Sequence, residues 1–399
     1  MNTVRRTTIS IVVAVVSIAA AAAAVGGLRD ERGFADGGWI LRDLGTLGGK
    51  RASATAINAR GWVIGESGLG TRSGASHAFV WRGGKMHDLG GAANTATFPT
   101  AINDRGHILL RAGPRIRCQP FLWRDGRLIE LRGLCEASDL NERGQVVGAS
   151  RSGLDGRAVL WENGRVRQLG TLRGAVMTSA ELINGAGDVI GSWQRGRSNT
   201  DFVMRAFVWQ KGKMRDLGSL GGKDSWVHAN AINDRGHIVG SSDLSGDLNG
   251  PTHAFLWQKG RMHDLGTLGG RYSEANAINN RGDVVGTAET RSGDQHAFLW
   301  QKGRMTDLGT LGGHRSHAYA INNRGHVVGT SVVSRRANCL EERCQEHGFV
   351  WQSGHRTDLG TVRASESAAF AINDGGQIVG ERESWRYSWT HPVLWTRSP

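Results

Sequence analysis

The 399-residue chain is short of proline (6) and cysteine (4), and beyond residue 25 it has no apolar run long enough to cross a bilayer. Scarce proline beside abundant glycine (59) argues against collagen-like and disordered chains and suits many tight turns between short strands. Also absent are a phosphate-cradling loop, a zinc-binding helix motif and a nucleophile elbow, so no familiar catalytic signature marks the chain. The cysteine spacings fit no zinc site, and no His-Cys cluster accompanies them. An even cysteine count in an exported chain favours two disulfides. Of three possible connectivities, the local pairs Cys118 with Cys135 and Cys339 with Cys344 are expected as structural staples. Closing the longer loop would contribute roughly 3 kcal/mol in the chain-entropy view.

What the chain does have is a repeat. An Ile-Asn-x-x-Gly turn is clearest at Asn58, Asn233, Asn279 and Asn322, and recurs at Asn103, Asn184 and Asn373, with a Leu-Asn version at Asn141. A His-Ala-Phe-aliphatic-Trp segment follows each turn, clearest where it ends at Trp81, Trp257 and Trp300 and relaxed at Trp123, Trp161, Trp209, Trp351 and Trp395. Those tryptophans lie 38 to 51 positions apart, the period of propeller blades. Each unit reads as four short strands: an Ala-rich one, a Val-Ile/Val-Gly one, the Phe-x-Trp one and Met-x-Asp-Leu-Gly. Asn and Gly are expected to supply positive φ in the turns. The strands are apolar on both faces, so each sheet must be covered on both sides.

The last unit stops after Trp395 without a fourth strand, whereas an extra one, residues 39–45, precedes the first. The expected fold is therefore all-β: an eight-bladed β-propeller of four-stranded blades, closed by an N-terminal strand that completes the last blade. Closure removes exposed sheet edges, which otherwise invite aggregation. Residues 1–25 read as a signal peptide, with Arg5-Arg6 ahead of an apolar run and six alanines before the exit; an uncleaved anchor is the alternative. Residues 26–38 read as a short linker and 39–399 as one domain.

These residues resemble the bacterial extracellular HAF-repeat family, named for its His-Ala-Phe signature. The Asp-Leu-Gly-Thr-Leu-Gly-Gly stretches starting at Asp43, Asp264 and Asp307 strengthen the resemblance, which covers roughly 39–399. Units two and three depart from it, with Gln-Pro-Phe ending at Phe121 and Arg-Ala-Val ending at Val159. The resemblance implies a secreted repeat protein, and it carries over no activity or catalytic residue.

The formal charge of +13 would draw an exported protein to anionic partners such as wall polysaccharide or another envelope component. No specific nucleic-acid recognition, no cofactor and no metal are expected, and the chain reads as a monomer, extracellular or periplasmic. Residues present in every unit are assigned to packing, with the recurring His and Asp pairing local backbone groups and Trp filling space between sheets. Binding is expected instead on the rim of variable loops. The first candidate cluster is Trp385, Arg386, Tyr387 and Trp389, whose rings an extended segment would place on one face, with Arg382 beside them. The second is Trp193, Arg195 and Arg197 with Trp226 and His228. Packing against the strand near Trp39 competes with binding for the first cluster. Arg335, Arg336 and Arg343 read as a solvated face, and Asp243, Asp247 and Asn249 only faintly resemble a calcium loop. The expected role is a non-catalytic binding scaffold for an anionic glycan or other envelope partner. The alternative is a polysaccharide lyase or hydrolase, which needs carboxylates such as Glu66, Glu289 and Glu381 to converge.

Overall fold

The computed structural model describes residues 32–35 (backbone alone), 38–71, 75–90, 96–112, 119–150, 156–196, 202–221, 225–246, 250–334 and 345–398. Among these the regular structure is strands, with no α-helix. The first unit is an antiparallel meander of Ala52–Ile57, Val63–Gly68, Ser76–Arg82 and Lys85–Asp88. Six further meanders follow, opening at Thr97, Glu136, Ala175, Val227, Gly269 and Ser316; the fifth and sixth units are joined by one parallel pair, Thr252 with Tyr272. The strands Glu366–Ile372, Ile378–Ser384 and Trp389–Arg397 form the eighth. Next to the last of these lies Trp39–Asp43, antiparallel, with Trp39 opposite Arg397 and Asp43 opposite Val393; Arg32–Ala35 adds an outer strand.

Two-sided apolar strands explain why the meanders stack face to face, as in a β-propeller. In the second strand of unit one, Val63 packs toward unit eight with Val379 and Leu394, while its neighbour Ile64 packs toward unit two with Ile108 and Leu110. Trp161, Trp209 and Trp257 are buried in the interfaces between units, filling space as their repetition suggests.

The glycine of the second strand is a packing requirement. A Cβ on Gly240 would sit 1.8 Å from the His228 carbonyl oxygen, and one on Gly380 1.8 Å from that of Ala368. Opposite this contact each first strand carries a bulge, for example between Ala229 and Ala231. The Ala-rich first strands are not small-sided throughout, because the bulged positions include Glu181, Tyr319 and Phe370.

The turn asparagines do something the sequence reading did not foresee. None of the eight adopts positive φ; the glycine three residues later does, as at Gly61 (76°) and Gly236 (72°). Asn233 Oδ1 instead accepts the backbone N–H groups of Arg235 and His237, both at 3.0 Å. Its Nδ2 donates to the backbone carbonyl of Asn279 in the next unit, at 2.9 Å. The same inter-unit bond runs from Asn58 to Asn103, and on through Asn141, Asn184, Asn233, Asn279 and Asn322 to Asn373. Asn373 then donates to the Asn58 carbonyl at 3.0 Å, so the series returns to its start across 315 residues. All eight side chains are buried.

The His of the repeat is likewise not bonded to backbone. His77, His253, His296 and His347 meet Asp88, Asp264, Asp307 and Asp358 across the third and fourth strands, at 2.8 to 3.0 Å. Each of these Asp residues also accepts a backbone N–H two residues on, as Gly266 N–H does to Asp264. In unit four Arg205 replaces the His and meets Asp216. The eighth copy joins chain ends: His391 Nδ1 lies 2.8 Å from Asp43 Oδ2. Trp39–Asp43 thus occupies the place of a fourth strand in side-chain contacts as well as in pairing.

Candidate binding rims

Turns between strands one and two, and between three and four, lie together on one rim. Here the repeat leaves cations in solvent. The Asn side chain holds its own turn, and the residue after it caps the preceding unit: Asp104 Oδ1 accepts the Ala59 N–H, and Asp234 Oδ1 the Gly185 N–H. With those acids occupied by backbone donors, the next residue points outward. Arg60, Arg105, Arg143, Arg235, Arg281 and Arg324 are all exposed. A second set, Lys85, Arg127, Arg165, Lys213, Arg261 and Arg304, opens the fourth strand in each of the first six units and is also exposed. The hairpin turns before them use positive φ at Gly83, Asp125, Asn163, Lys211, Lys259 and Lys302, each followed by glycine, the I′ pattern, which Ser353 repeats in unit seven.

The opposite rim carries the long connections, and its chemistry has the other sign around units seven, eight and one. Glu366 and Glu383 face each other across paired strands. Burial pushes Glu366 up to about 7, helped by the neighbouring charges of Glu346 and Glu383, while a hydrogen bond from the Trp385 side chain opposes the rise. Glu381 is also pushed up to about 7, first by burial and further by Glu383 and Glu66, against a 2.9 Å hydrogen bond from Ser53 Oγ. Burial raises Glu66 too, with Arg111 opposing. Glu66 and Glu381 therefore sense one another, whereas Glu289 stands apart, accepting the Arg271 N–H at 2.5 Å.

The first candidate cluster is arranged differently from expectation. Residues 385–388 form the hairpin turn, with Ser384 opposite Trp389, so the three rings are not a single extended platform. Trp385 (45% exposed) and Tyr387 (63%) project into solvent, with Arg386 against the Tyr387 ring at 5.7 Å. Trp389 is half-buried on the His391 ring at 4.7 Å and beneath Arg382 at 5.1 Å. Arg382 is not available to an anion: it is buried and bonds Asp43 Oδ2 and the Val362 carbonyl, both at 2.6 Å.

The second cluster also divides. Trp193 is 8% exposed in the core between units three and four, so it is a packing residue and not a ligand contact. Its inward direction follows from alternation in Val189–Arg195, a strand covered on both faces. Trp226 and His228 are half-buried, and Trp226 meets Phe202 edge-on at 5.1 Å, a partner the sequence reading missed. Arg195 ends its strand opposite Val203, and Arg197 lies outside the described residues.

Cys135 is not a free thiol; Cys118, Cys339 and Cys344 lie outside the described residues, as do Arg335, Arg336, Arg343, Asp247 and Asn249. Asp243 accepts the Thr252 hydroxyl at 2.8 Å. Among the described residues no cluster of His, Cys, Asp and Glu is arranged to hold a metal ion. Among the described residues no helix is long and apolar enough to cross a membrane.

No family model matches the chain, and no curated protein matches it. Among solved structures it is similar to a puromycin-hydrolysing peptidase of Mycobacterium tuberculosis, at 14% identity and a TM-score of 0.45 over 85% of this chain and 59% of that one. It is similar too to the β-propeller domain of the Trilobed protease from Pyrococcus furiosus (12%, 0.47, 78% of this chain and 98% of that one). A puromycin hydrolase gives 13% and 0.48, over 85% of this chain and 60% of that one, so the chain spans about three fifths of either hydrolase. These are likenesses in strand arrangement, and no activity passes from those proteins to this chain.

Proposed function

We propose that the chain is a closed eight-bladed propeller of the HAF-repeat kind, exported from the cell, whose tight-turn rim binds an acidic polysaccharide. One observation carries the reading: two rings of exposed Arg and Lys, one cation of each ring per unit in most units, stand on one rim, where capping acids such as Asp104 and Asp234 are engaged with backbone and Arg281 alone of the cited cations pairs with an acid, Asp283. A side chain that recurs while exposed is not explained by packing, which accounts for the buried Asn and Trp. Such a ring of like charge attracts polyanions from a distance and weakens with salt. The acidic seam on the other rim is unsuited to an anion, so the polysaccharide is assigned away from the variable loops. The two local disulfides belong to the same proposal.

The test is retention of the mature protein on sulfated and uronate polysaccharides as sodium chloride is raised. Tight binding at low salt that falls steeply with salt, and that Lys213→Glu/Arg261→Glu/Arg304→Glu removes, supports the reading. Binding that ignores either salt or the triple change overturns it. A second reading, a polysaccharide-cleaving propeller, is favoured by Glu366 and Glu381, both near neutrality on the loop rim. Release of new reducing ends that disappears in Glu381→Gln would support it; no release from any acidic or neutral glycan would remove it.

A further inference from the structure

The tight-turn rim is not uniform. At most junctions a side chain covers the turn glycine of the next unit. A Cβ on Gly61 would meet Gln377, one on Gly106 would meet Trp62, and one on Gly236 would meet Gln210 and Asp188. The cover is missing at three junctions: His107 reaches only to 3.8 Å of the corresponding position on Gly144, His237 only to 4.0 Å of that on Gly282 between units five and six, and nothing comes within 4 Å of that on Gly376. Between units five and six lies a groove of about 540 Å³ whose polar lining is His237, Gln258, Arg281, Asp283, Gln301 and Lys302, with Trp300 and Leu256 as its apolar part. Trp300 is half-buried there, and the groove's size falls in the range of small-molecule sites.

Polar groups converge on it. His237 Nδ1, like His107 Nδ1 in the equivalent place between units two and three, is shut away from solvent and has no hydrogen-bond partner. Burial, with Arg235 and Lys259 nearby, lowers the His237 pKa, so the ring is neutral near pH 7. Arg281 is matched by Asp283 at 2.5 Å, which leaves Lys302 as the cation at the groove edge. Gln258 and Gln301 add amides able to donate or accept.

We infer that this groove is a subsite for one anionic sugar ring of the hexuronate class. The ring lies on Trp300, its carboxylate meets Lys302, and its hydroxyls meet the two glutamine amides. The inference rests on the reading of the rim as a polysaccharide face, and it adds where one residue of that polymer sits and what chemistry that residue must carry. A neutral hexose keeps the stacking but loses the ion pair.

The experiment is isothermal titration of the full mature protein with a glucuronate-containing disaccharide and its uncharged glucose analogue. Lys302→Asn and Arg127→Glu/Arg165→Glu are run in parallel, with melting curves confirming each fold. Asn tolerates the positive φ of residue 302 (50°), so the first variant removes the charge without straining the turn. The expected result is saturable binding of the uronate, about tenfold weaker binding of the glucose analogue, and a loss of about tenfold in Lys302→Asn. Arg127→Glu/Arg165→Glu should leave the disaccharide titration unchanged while lowering polymer retention. Polymer binding without disaccharide binding, or uronate affinity indifferent to Lys302→Asn, overturns the subsite and leaves the rim reading standing. Disaccharide binding without polymer retention overturns the rim reading and keeps the groove.

Discussion

The two rims are built from the same strands yet obey different rules. On the tight-turn rim every unit shares the asparagine bond, and in most units a capping side chain and outward cations recur in register with it. On the loop rim each unit differs, and its notable chemistry gathers at one seam, where Glu346, Glu366, Glu381, Glu383 and Glu66 sit among units seven, eight and one. Regularity had suggested a structural rim opposite a functional one. The contrast teaches that buried repeats report packing, whereas exposed repeats multiply a surface property.

The comparison can be broken first at the contacts all units share. Gly240→Ala forces a methyl against the His228 carbonyl and should cost about 3 kcal/mol or more in chemical denaturation. A cost below 1 kcal/mol would mean that the strands are less close than described. Next is the asparagine series. Asn373→Ala and Asn233→Ala each strand buried partners and should each cost about 2–3 kcal/mol. Equal costs are the signature of a ring; a negligible cost for Asn373→Ala alone would describe an open end.

On the loop rim the effects are smaller and depend on pH. Burial alone would raise Asp43, but the hydrogen bond and charge of His391, the Gly45 N–H and Arg382 outweigh it and hold the carboxyl at about 2. A depressed carboxylate contributes stability above its unfolded value of 3.8, and that stability is lost as pH falls toward 2. Asp43→Asn should therefore cost about 2 kcal/mol at pH 6, with the gap to the parent closing between pH 4 and 2. Glu381 has the opposite sign. Its raised carboxyl favours the folded state below pH 4.5, an advantage lost as pH rises through about 7. Glu381→Gln should melt with the parent at pH 4 and a few degrees above it at pH 8.5. An unchanged difference across that range would place Glu381 in open solvent.

The strands, their grouping and the placing of residues 39–43 beside the last Trp strand were legible because period, apolar patterning and a missing element all speak in sequence. The asparagine series was not, since a bond to a neighbouring unit leaves no local trace; Asn-x-x-Gly looks the same when Asn merely turns the chain. The His–Asp pairs were hidden similarly, lying 11 residues apart on adjacent strands. Trp193 and Trp385 illustrate a further limit. Both looked like binding tryptophans, yet one falls on an inward position of a strand covered on both sides and the other on a turn. The rim cations were present in every Asn-x-Arg-Gly and Lys-Gly turn, but their joint meaning appears only when the strands set them on one side.

The account depends most on residues 39–43 acting as the eighth unit's fourth strand. Hydrogen–deuterium exchange at neutral pH tests this directly, by comparing amides of Trp39–Asp43 with those of the interior fourth strand Arg261–Asp264. The account predicts matching protection in the two strands. Exchange of Trp39–Asp43 within seconds, while Arg261–Asp264 stays protected, would contradict it.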